Sequence, residues 1–387
     1  YYLATPPLLY GVIPRHLKAE GLNREGDGFR RIVVEKPFGY DLSSALELNR
    51  IYLDAFREEQ IYRIDHFLGK ETVQNILALR FANSVFEPLW NRNYIDYVEI
   101  TAVENMGIGT RGGFYDGVGT LRDMVQNHLA QLLAVTAMEP PAAFDASGFR
   151  NEVVKVYQSL TPLTGEDIRH SVVRGQYMAS EGRKGYREEE QVPALSRTET
   201  YLAMRLELNN WRWGGVPFYI RTGKQMPTKV SEIVIHFKPA PYSLFRCEGG
   251  TCPVPNRLVI RIQPNEGIVL RLGMKKPGEG FEVLPMDMDF SYAELGRLPT
   301  EDAYARLIED CIAGDPTLFI RSDAVESGWR FFDPILKYWQ DVPECPLYGY
   351  PAGSWGPLEA DSLVARQGAS WTNPCKNLTN THLYCEL

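Results

Sequence analysis

The feature that most constrains the fold is a series of strand-like segments between residues 201 and 272 with no helical pattern between them. In each segment the side chains alternate in polarity or are β-branched. The segments are 201–208, 218–221, 232–238, 256–263 and 267–272. Consecutive strands without intervening helices predict a largely antiparallel sheet. Helical patterns follow at 303–313 and 323–337, so we predict an α+β domain flanked by helices here.

The first 65 residues have a different pattern, in which short apolar runs alternate with helices. The runs are 1–4, 30–35 and 60–64, and the helical patterns between them are 8–18 and 42–56. Ile32-Val33-Val34 is typical of a strand buried on both faces, and Asp41 is a good N-cap for the second helix. This β-α-β-α-β order predicts half of a doubly wound nucleotide-binding domain.

The predicted organisation is therefore α/β followed by α+β. Residues 1–65 would form the C-terminal half of a Rossmann dinucleotide-binding domain, and residues 66–387 a large substrate and dimerisation domain with a mainly antiparallel sheet. The chain begins at Tyr1 within a strand-like run, and no glycine-rich dinucleotide turn follows that run. We expect the missing turn to lie in a segment before Tyr1. Residues 1–387 alone should then show no catalytic turnover, because half of the nucleotide-binding domain would be absent.

Charge and apolar content argue against two kinds of partner. The formal net charge of -8 disfavours a general nucleic-acid or anionic-membrane surface. The longest apolar stretches, such as residues 132–138, are too short to span a bilayer. An anionic substrate would therefore need a local basic pocket, so clustered lysines carry more information than usual in this chain.

The cysteines do not indicate a metal site. Of six cysteines, only Cys247 and Cys252 are close in sequence, and no second ligand pair is spaced for zinc nearby. We expect no metal, and free thiols in a reducing compartment such as the cytoplasm. Asn377-Leu378-Thr379 is a glycosylation sequon, which matters only in a secreted protein.

Charged residues cluster where a predicted strand meets a helix, in the sequence Arg-Ile-Asp-His-Phe-Leu-Gly-Lys-Glu at residues 63–71. Asp65 and His66 end the strand, and Lys70 opens a helix predicted to run to residue 81. Backbone N–H groups at a helix start favour an anion, and a lysine there adds a full positive charge. An ordinary surface turn fits the same pattern.

His128 lies on or beside the buried stripe of a helix predicted over residues 121–138. It is either a core histidine bonded to a backbone carbonyl or a general base, for which imidazole is suited near neutral pH. Asp123 is either an acid favoured by the helix start or a substrate ligand. On an α-helix, five residues turn the side chain by roughly 140° net, so Asp123 and His128 should not share a face.

Other charged residues at predicted strand ends also have two interpretations each. Lys36 and Pro37 follow the buried strand at the edge where doubly wound sheets bind ligands. Glu104 follows another predicted strand, and Lys224 and Lys229 lie in a loop after a third. Solvated surface positions would explain all of these residues equally well.

Taken together, the motifs resemble the glucose-6-phosphate dehydrogenase family. The resemblance rests on residues 63–71 and on further stretches that occur in the family's order and reach nearly the whole chain, to about residue 371. The further stretches are 35–39 (EKPFG), 111–116 (RGGFYD), 122–129 (RDMVQNHL), 221–224 (RTGK) and 263–266 (QPNE). Phe67 stands where many relatives have a tyrosine.

The resemblance implies oxidation of glucose 6-phosphate to 6-phosphogluconolactone, the first step of the pentose phosphate pathway. Hydride would pass to NADP, with NAD not excluded, and the enzyme would be a cytoplasmic homodimer or homotetramer. The catalytic residues would be His128, as general base, and Asp65. The substrate-binding residues would be His66, Lys70, Glu104, Asp123, Lys224 and Lys229. The cofactor-binding residues would be Lys36 and Pro37.

The resemblance also implies which acid serves His128. We predict that one ring nitrogen of His128 bonds the Asp65 carboxylate and that the other is free to take the sugar's proton, as in acyl-transfer triads. Two alternatives stay open. One is another sugar dehydrogenase of similar fold, such as the oxidoreductases related to glucose–fructose oxidoreductase. These also contain the Glu-Lys-Pro sequence that occurs here at residues 35–37. The other is a sugar-phosphate-binding protein without turnover.

Overall fold

The computed structural model describes residues 1–26, 28–242, 244–247, 256–278, 280–295, 302–365 and 368–374. Cys252 and the sequon at 377–379 lie outside these residues. The chain divides into two compact units. The first unit consists of Tyr1–Leu77, Val118–Arg169 and Thr300–Cys345. The second unit consists of Ala78–Gly117, His170–Pro299 and Pro346–Leu387.

The regular elements are numbered in chain order over the described residues. The strands are β1 (Tyr2–Leu3), β2 (Ile32–Val34), β3 (Ile61–Arg63), β4 (Ile95–Val103), β5 (Val172–Met178), β6 (Tyr201–Glu207), β7 (Pro217–Gly223), β8 (Val230–Phe237), β9 (Arg246–Cys247), β10 (Arg257–Gln263), β11 (Gly267–Lys275), β12 (Glu282–Ser291) and β13 (Tyr348–Pro351). The α-helices are α1 (Val12–Ala19), α2 (Leu42–Ala55), α3 (Glu71–Phe81), α4 (Gly112–Asp116), α5 (Ala130–Ala137), α6 (Ala146–Ser159), α7 (Glu166–Ser171), α8 (Ala303–Ala313), α9 (Ser322–Asp341) and α10 (Asp361–Val364). A π-helix, Leu121–Leu129, runs directly into α5.

The first unit contains a small parallel sheet in the order β1-β2-β3. All three residues of β2 are buried, as expected of a strand covered on both faces. Helices α1 and α2 connect the strands and pack on each other, which confirms the predicted β-α-β-α-β order. The carboxyl ends of β2 and β3 lie side by side, and the candidate residues follow these two ends.

Helices from later in the chain complete the first unit. Helix α9 packs against α2 and α6, and α6 packs against α5. The two compact units therefore do not meet at the predicted domain boundary after residue 65. The reason is that helices far along the chain pack in the same unit as the sheet β1-β2-β3. The boundary at residue 65 stays a prediction.

The second unit contains a ten-stranded sheet in the order β13-β5-β6-β7-β4-β8-β10-β11-β12-β9. Most neighbouring pairs are antiparallel, which confirms the predicted class of the larger domain. The pairs β13–β5, β4–β7 and β12–β9 are parallel. Among the described residues, no helix combines the length and apolar character that a bilayer crossing requires.

Helix α2 begins with a reciprocal pair of hydrogen bonds. The Asp41 carboxylate accepts from the Ser44 amide at 2.7 Å, and the Ser44 hydroxyl accepts from the Asp41 amide at 3.1 Å. This capping box satisfies two amides that the helix itself leaves unpaired. The N-cap role predicted for Asp41 is therefore confirmed.

We expect Asp41→Ala to destabilise the start of α2 by about 0.5–2 kcal/mol, because the replaced carboxylate accepts the Ser44 amide proton. Amide hydrogen exchange in the first turn of α2 should become roughly 2–30 times faster. Ser43→Ala, at an exposed position of the same turn, is the control and should leave exchange unchanged. Equal exchange rates in the two variants would contradict a capping role for Asp41.

Candidate active site

The segment after β3 folds into a compact turn that holds Asp65 in place. The amides of Leu68 and Lys70 donate to the carbonyls of Asp65 and Phe67 at 3.1 and 3.2 Å. The Phe67 amide also donates to Asp65 Oδ1 at 3.0 Å. Position 69 of this turn must be glycine, because a Cβ on Gly69 would lie 2.5 Å from the carbonyl oxygen of Ala303.

Asp65 and His128 form a buried pair. The His128 Nδ1 atom lies 2.6 Å from Asp65 Oδ1, and both residues are 2% exposed. This contact confirms the prediction that Asp65 is the acid partner of His128. The two side chains come from different elements, the turn after β3 and the π-helix, so their pairing depends on the packing of the first unit.

The Asp65 carboxyl is held in its ionised form. Burial by itself raises its pKa, but the His128 ring, the hydrogen bond from that ring and the Phe67 amide lower it by more. The net pKa of Asp65 lies below its ordinary value. A carboxylate at this position accepts a hydrogen bond from Nδ1–H and so fixes the orientation of the ring.

The second ring nitrogen of His128 faces a lysine. The Lys36 Nζ atom lies 2.7 Å from His128 Nε2, and it also donates to the carbonyl and carboxylate oxygens of Asp123 at 3.1 and 3.2 Å. Our prediction that this nitrogen is free is therefore wrong. A lysine ammonium can only donate, so Nε2 is the acceptor and Nδ1 carries the ring proton toward Asp65.

The π-helix brings Asp123 and His128 onto one face. The Ala130 amide donates to the carbonyl of Val125, five residues earlier, where an α-helix would use the residue four earlier. Residues five apart are therefore close along this helix, and Lys36 reaches both Asp123 and His128. The prediction of an α-helix over residues 121–138 is wrong for its first half. The inference from α-helical geometry that Asp123 and His128 lie on different faces is therefore wrong as well. The predicted pairing of His128 with Asp65 is nevertheless observed.

Aromatic rings surround His128. The Phe67 ring stacks on it with centroids 4.5 Å apart and an angle of 22°. The His66 ring meets the His128 ring edge-on, with centroids 4.6 Å apart, and is itself stacked against Tyr304 at 5.9 Å. Burial, followed by the His128 ring, lowers the pKa of His66 to about 4, so His66 is neutral at pH 7 in the unliganded protein. The sequence analysis missed Tyr304, which no nearby motif distinguishes.

Lys70 lies immediately before α3, where its carbonyl accepts from the amides of Val73 and Gln74 at 3.0 and 3.1 Å. Its Nζ atom is 5.5 Å from the centre of the Phe67 ring. The lysine therefore stands at the positive end of a helix and beside the aromatic residue that covers His128, as the sequence predicted for the start of this helix.

The second unit brings two of the other candidates together. Strands β4 and β7 are parallel, with Val103 opposite Gly223. Glu104 and Lys224 therefore follow the carboxyl ends of two neighbouring strands. Lys224 Nζ lies 2.5 Å from Glu104 Oε2, and Lys224 is only 5% exposed. Lys224 is thus a buried ion-pair partner and not a solvated loop residue. Lys229 is exposed, at the beginning of β8.

Asp65, His66 and His128 also form a group of the kind that can hold a metal ion, with their polar atoms within 4.8 Å of one another. The hydrogen bonds indicate proton chemistry instead. His128 Nε2 accepts from a lysine ammonium, and a metal cation at that nitrogen would be repelled by the lysine charge.

The fold and the site together define a class of protein. A carboxylate-supported imidazole at the carboxyl ends of a parallel α/β sheet, in a chain that also contains a large and mainly antiparallel sheet, is typical of a nucleotide-dependent dehydrogenase. Two family models match the chain. Residues 1–75 match "Glucose-6-phosphate dehydrogenase, NAD binding domain", and residues 77–372 match "Glucose-6-phosphate dehydrogenase, C-terminal domain". The chain belongs to the glucose-6-phosphate dehydrogenase family.

Individual relatives are similar over nearly the whole chain. The glucose-6-phosphate 1-dehydrogenase of Aggregatibacter actinomycetemcomitans is 55% identical over 97% of this chain and 75% of its own length. That of Treponema pallidum is 50% identical over 100% of this chain and 76% of its own length. A solved glucose-6-phosphate dehydrogenase in complex with its substrate glucose-6-phosphate has a TM-score of 0.88 and 36% identity, covering 96% of this chain and 75% of that one.

Proposed function

We propose that the full-length protein oxidises the C1 hydroxyl of glucose 6-phosphate to 6-phosphogluconolactone, the first step of the pentose phosphate pathway, with His128 as general base. The observation that carries the proposal is the buried Asp65–His128 pair, in which the Nε2 atom of His128 is a hydrogen-bond acceptor. Membership of the family supports the substrate, since a relative is described as bound to glucose 6-phosphate.

The cofactor that fits the first unit is a nicotinamide nucleotide, and we propose NADP. The model that matches residues 1–75 describes an NAD binding domain. Lys36 and Pro37 follow β2 at the carboxyl edge of the sheet, and the Lys36 side chain is 30% exposed, so both residues can contact a ligand at that edge. When bound, a nicotinamide nucleotide would supply the hydride acceptor for C1.

The protein's own residues handle the proton. As the C1–H bond breaks, positive charge would build on carbon unless the hydroxyl proton leaves, and His128 Nε2 takes that proton. The resulting imidazolium is stabilised by the Asp65 carboxylate at Nδ1. For this step the sugar hydroxyl replaces Lys36 at Nε2. Lys36 can give way because it keeps two other acceptors, both on Asp123.

We propose that Lys70 and His66 bind the phosphate, and that Asp123, Glu104, Lys224 and Lys229 bind the sugar. Lys70 supports the first assignment because it adds a cation at the start of α3, where helix amides already favour an anion. His66 is neutral without ligand because its pKa is lowered. A neutral imidazole still has one protonated ring nitrogen, which can donate a hydrogen bond to a phosphate oxygen.

The reaction is tested by incubating the full-length protein with glucose 6-phosphate and either NADP or NAD, and following nucleotide reduction together with formation of 6-phosphogluconate. We expect reduction that depends on the sugar phosphate. Equal rates with unphosphorylated sugars would favour another sugar dehydrogenase. Binding of glucose 6-phosphate without any reduction would favour a non-catalytic binding protein.

We expect Lys70→Ala in the full-length protein to raise the KM for glucose 6-phosphate by about 10- to 150-fold, because a charge-assisted hydrogen bond contributes roughly 1.5–3 kcal/mol. The KM for unphosphorylated glucose should hardly change. Lys155→Ala removes a largely exposed lysine from α6 of the same unit and serves as control. Equal losses for the two sugars would mean that Lys70 does not read the phosphate.

We also propose a homodimer or homotetramer in the cytoplasm. Exposed methionines on the outer strands β11 and β12, namely Met274, Met286 and Met288, support association through the large sheet. Cys311 is a buried free thiol, which fits a reducing compartment.

A further inference from the structure

Two neighbouring strands deliver the two groups that flank the His128 ring. Val34, at the end of β2, lies opposite Arg63, at the end of β3. Lys36 and Asp65 each follow two residues later, and they contact Nε2 and Nδ1 of His128 at 2.7 and 2.6 Å. The geometry around the ring therefore depends on how the segments after these two strand ends are held.

Arg63 belongs to the motif at residues 63–71, but the proposed reaction assigns no role to it. Its side chain is only 2% exposed, and a buried cation is costly unless its donors are paired. The guanidinium donates to the two Glu58 carboxylate oxygens at 2.8 and 3.4 Å, to Asn49 Oδ1 at 3.1 Å and to the Ile320 carbonyl at 3.3 Å. These acceptors lie in the turn before β3, in α2 and just before α9, so they fix the guanidinium from three segments.

The face of this guanidinium lies against the loop that carries Lys36. The Arg63 Cζ atom is 4.8 Å from the centre of the Phe38 ring, and Phe38 is two residues after Lys36. Such a cation–π contact is stronger when the cation is desolvated, as it is here. The Phe38 carbonyl also accepts from the buried Trp329 indole at 3.1 Å. Phe38 is therefore held by its ring and by its backbone.

We propose that Arg63 is a positioning residue, because by holding Phe38 it keeps Lys36 in contact with the ring of the proposed base. Asp65 depends less on the guanidinium, since hydrogen bonds within its own turn hold it. The inference rests on the proposed function only for its kinetic consequences. The contact of Lys36 with His128 can be measured without any activity.

The first test is Arg63→Lys in the full-length protein. Lysine keeps the charge but lacks the planar fork and the flat face of arginine, so it cannot serve the same acceptors and the Phe38 ring together. We expect kcat to fall about 5- to 50-fold, because a misplacement of about 1 Å can cost up to 10²-fold. The KM for glucose 6-phosphate should change little, since the proposed phosphate ligands His66 and Lys70 lie on the turn with its own hydrogen bonds.

Arg80→Lys is the matched control. Arg80 is also buried, pairs with Glu87 at 3.2 Å and has its guanidinium 4.6 Å from the centre of the Phe81 ring, but it belongs to the second unit. Losing the arginine fork should lower thermal stability in both variants. Only Arg63→Lys should lower the kcat of the folded enzyme. An equal loss of kcat in Arg80→Lys would overturn the specific role of Arg63.

A double-mutant cycle with Lys36→Ala shows whether Arg63 acts through Lys36. If it does, Arg63→Lys has little left to change once the Lys36 side chain is absent, and its effect on kcat in that background should be within about twofold. A substitution that only reduces the amount of folded enzyme lowers the rate by the same factor in both backgrounds. Equal factors would therefore overturn the proposal.

Phe38→Leu provides the same test if Arg63→Lys does not fold. It keeps the ion pair of Arg63 with Glu58 and removes only the ring between the guanidinium and the Lys36 loop. It should lower kcat to a similar extent, and this effect should also disappear in the Lys36→Ala background. An unchanged kcat in Phe38→Leu would overturn the proposed connection.

Crystal structures of the unmodified protein and of Phe38→Leu give a measurement that needs no activity. In the variant we expect the distance from Lys36 Nζ to His128 Nε2 to lengthen by about 1 Å, the scale of misplacement that affects catalysis, while Asp65 stays within hydrogen-bond distance of His128. An unchanged Lys36 distance would overturn the positioning role. The expected lengthening in a protein whose unmodified form does not oxidise glucose 6-phosphate would support the positioning role and overturn the proposed function.

Discussion

Replacing His128 by asparagine is expected to lower kcat for glucose 6-phosphate oxidation by about 10²- to 10⁴-fold, the usual contribution of a positioned general base. Asparagine keeps a polar group of similar size near Asp65 but cannot accept a proton at neutral pH. The KM for the sugar phosphate should change little, because the proposed phosphate ligands, His66 and Lys70, remain. The residual rate should no longer fall on the acid side of the pH profile.

The control for this variant is His16→Asn, which changes an exposed histidine on α1 of the same unit. It should leave both kcat and the pH profile unchanged. A His128→Asn enzyme that keeps more than a tenth of the unmodified kcat would exclude His128 as the base. The proton would then have to leave through another group, and Lys36, at 2.7 Å from His128 Nε2, would be the next candidate.

Asp65→Asn is expected to reduce kcat by about 10³- to 10⁴-fold with little loss of folded protein. The same change in a serine protease triad costs about 10⁴, because the ring is held in the wrong tautomer. Here the amide NH₂ of asparagine can donate to Nδ1, which moves the ring proton to Nε2. That nitrogen could then no longer accept the sugar's proton, although the ring would stay in place.

Asp333→Asn is the matched control, since Asp333 is also a buried acid of the first unit, paired with Lys337 on α9. It should affect thermal stability more than kcat. The role of Asp65 would be wrong if Asp65→Asn stayed within tenfold of the unmodified rate while Asp123→Asn lost far more. In that case Asp123, which lies on the same helix face as His128, would be the acid that serves it.

Much of the fold could be predicted from side-chain patterns. The β-branched run of β2 and the helix limits of α8 were predicted to within a residue or two, because apolar periodicity and capping act locally. Strand β12 was missed, since its side chains are largely exposed and Pro285 interrupts it. Helix α6 was also missed, although its N-cap, Asp145, was a usable signal.

The candidate site was only partly predictable for a similar reason. The Asp65–His128 pair could be predicted because both residues lie in motifs that resemble one family. The contact of Lys36 with His128 Nε2 and the position of Tyr304 depend on how distant segments pack, which leaves no local pattern. The roles assigned to these residues stay predictions until the variants are measured.

The π-helix makes the site depend on the number of residues in the chain as well as on their identity. Each of its rings holds one residue more than an α-helical ring, so deleting a single residue between Asp123 and His128 would bring this segment closer to ordinary α-helical winding. The side chains before the deletion would then turn by about 100° relative to the buried face of α5. Asp123 and His128 would no longer meet the same lysine. A loss of one codon in this segment should therefore be tolerated less well than most single substitutions along it.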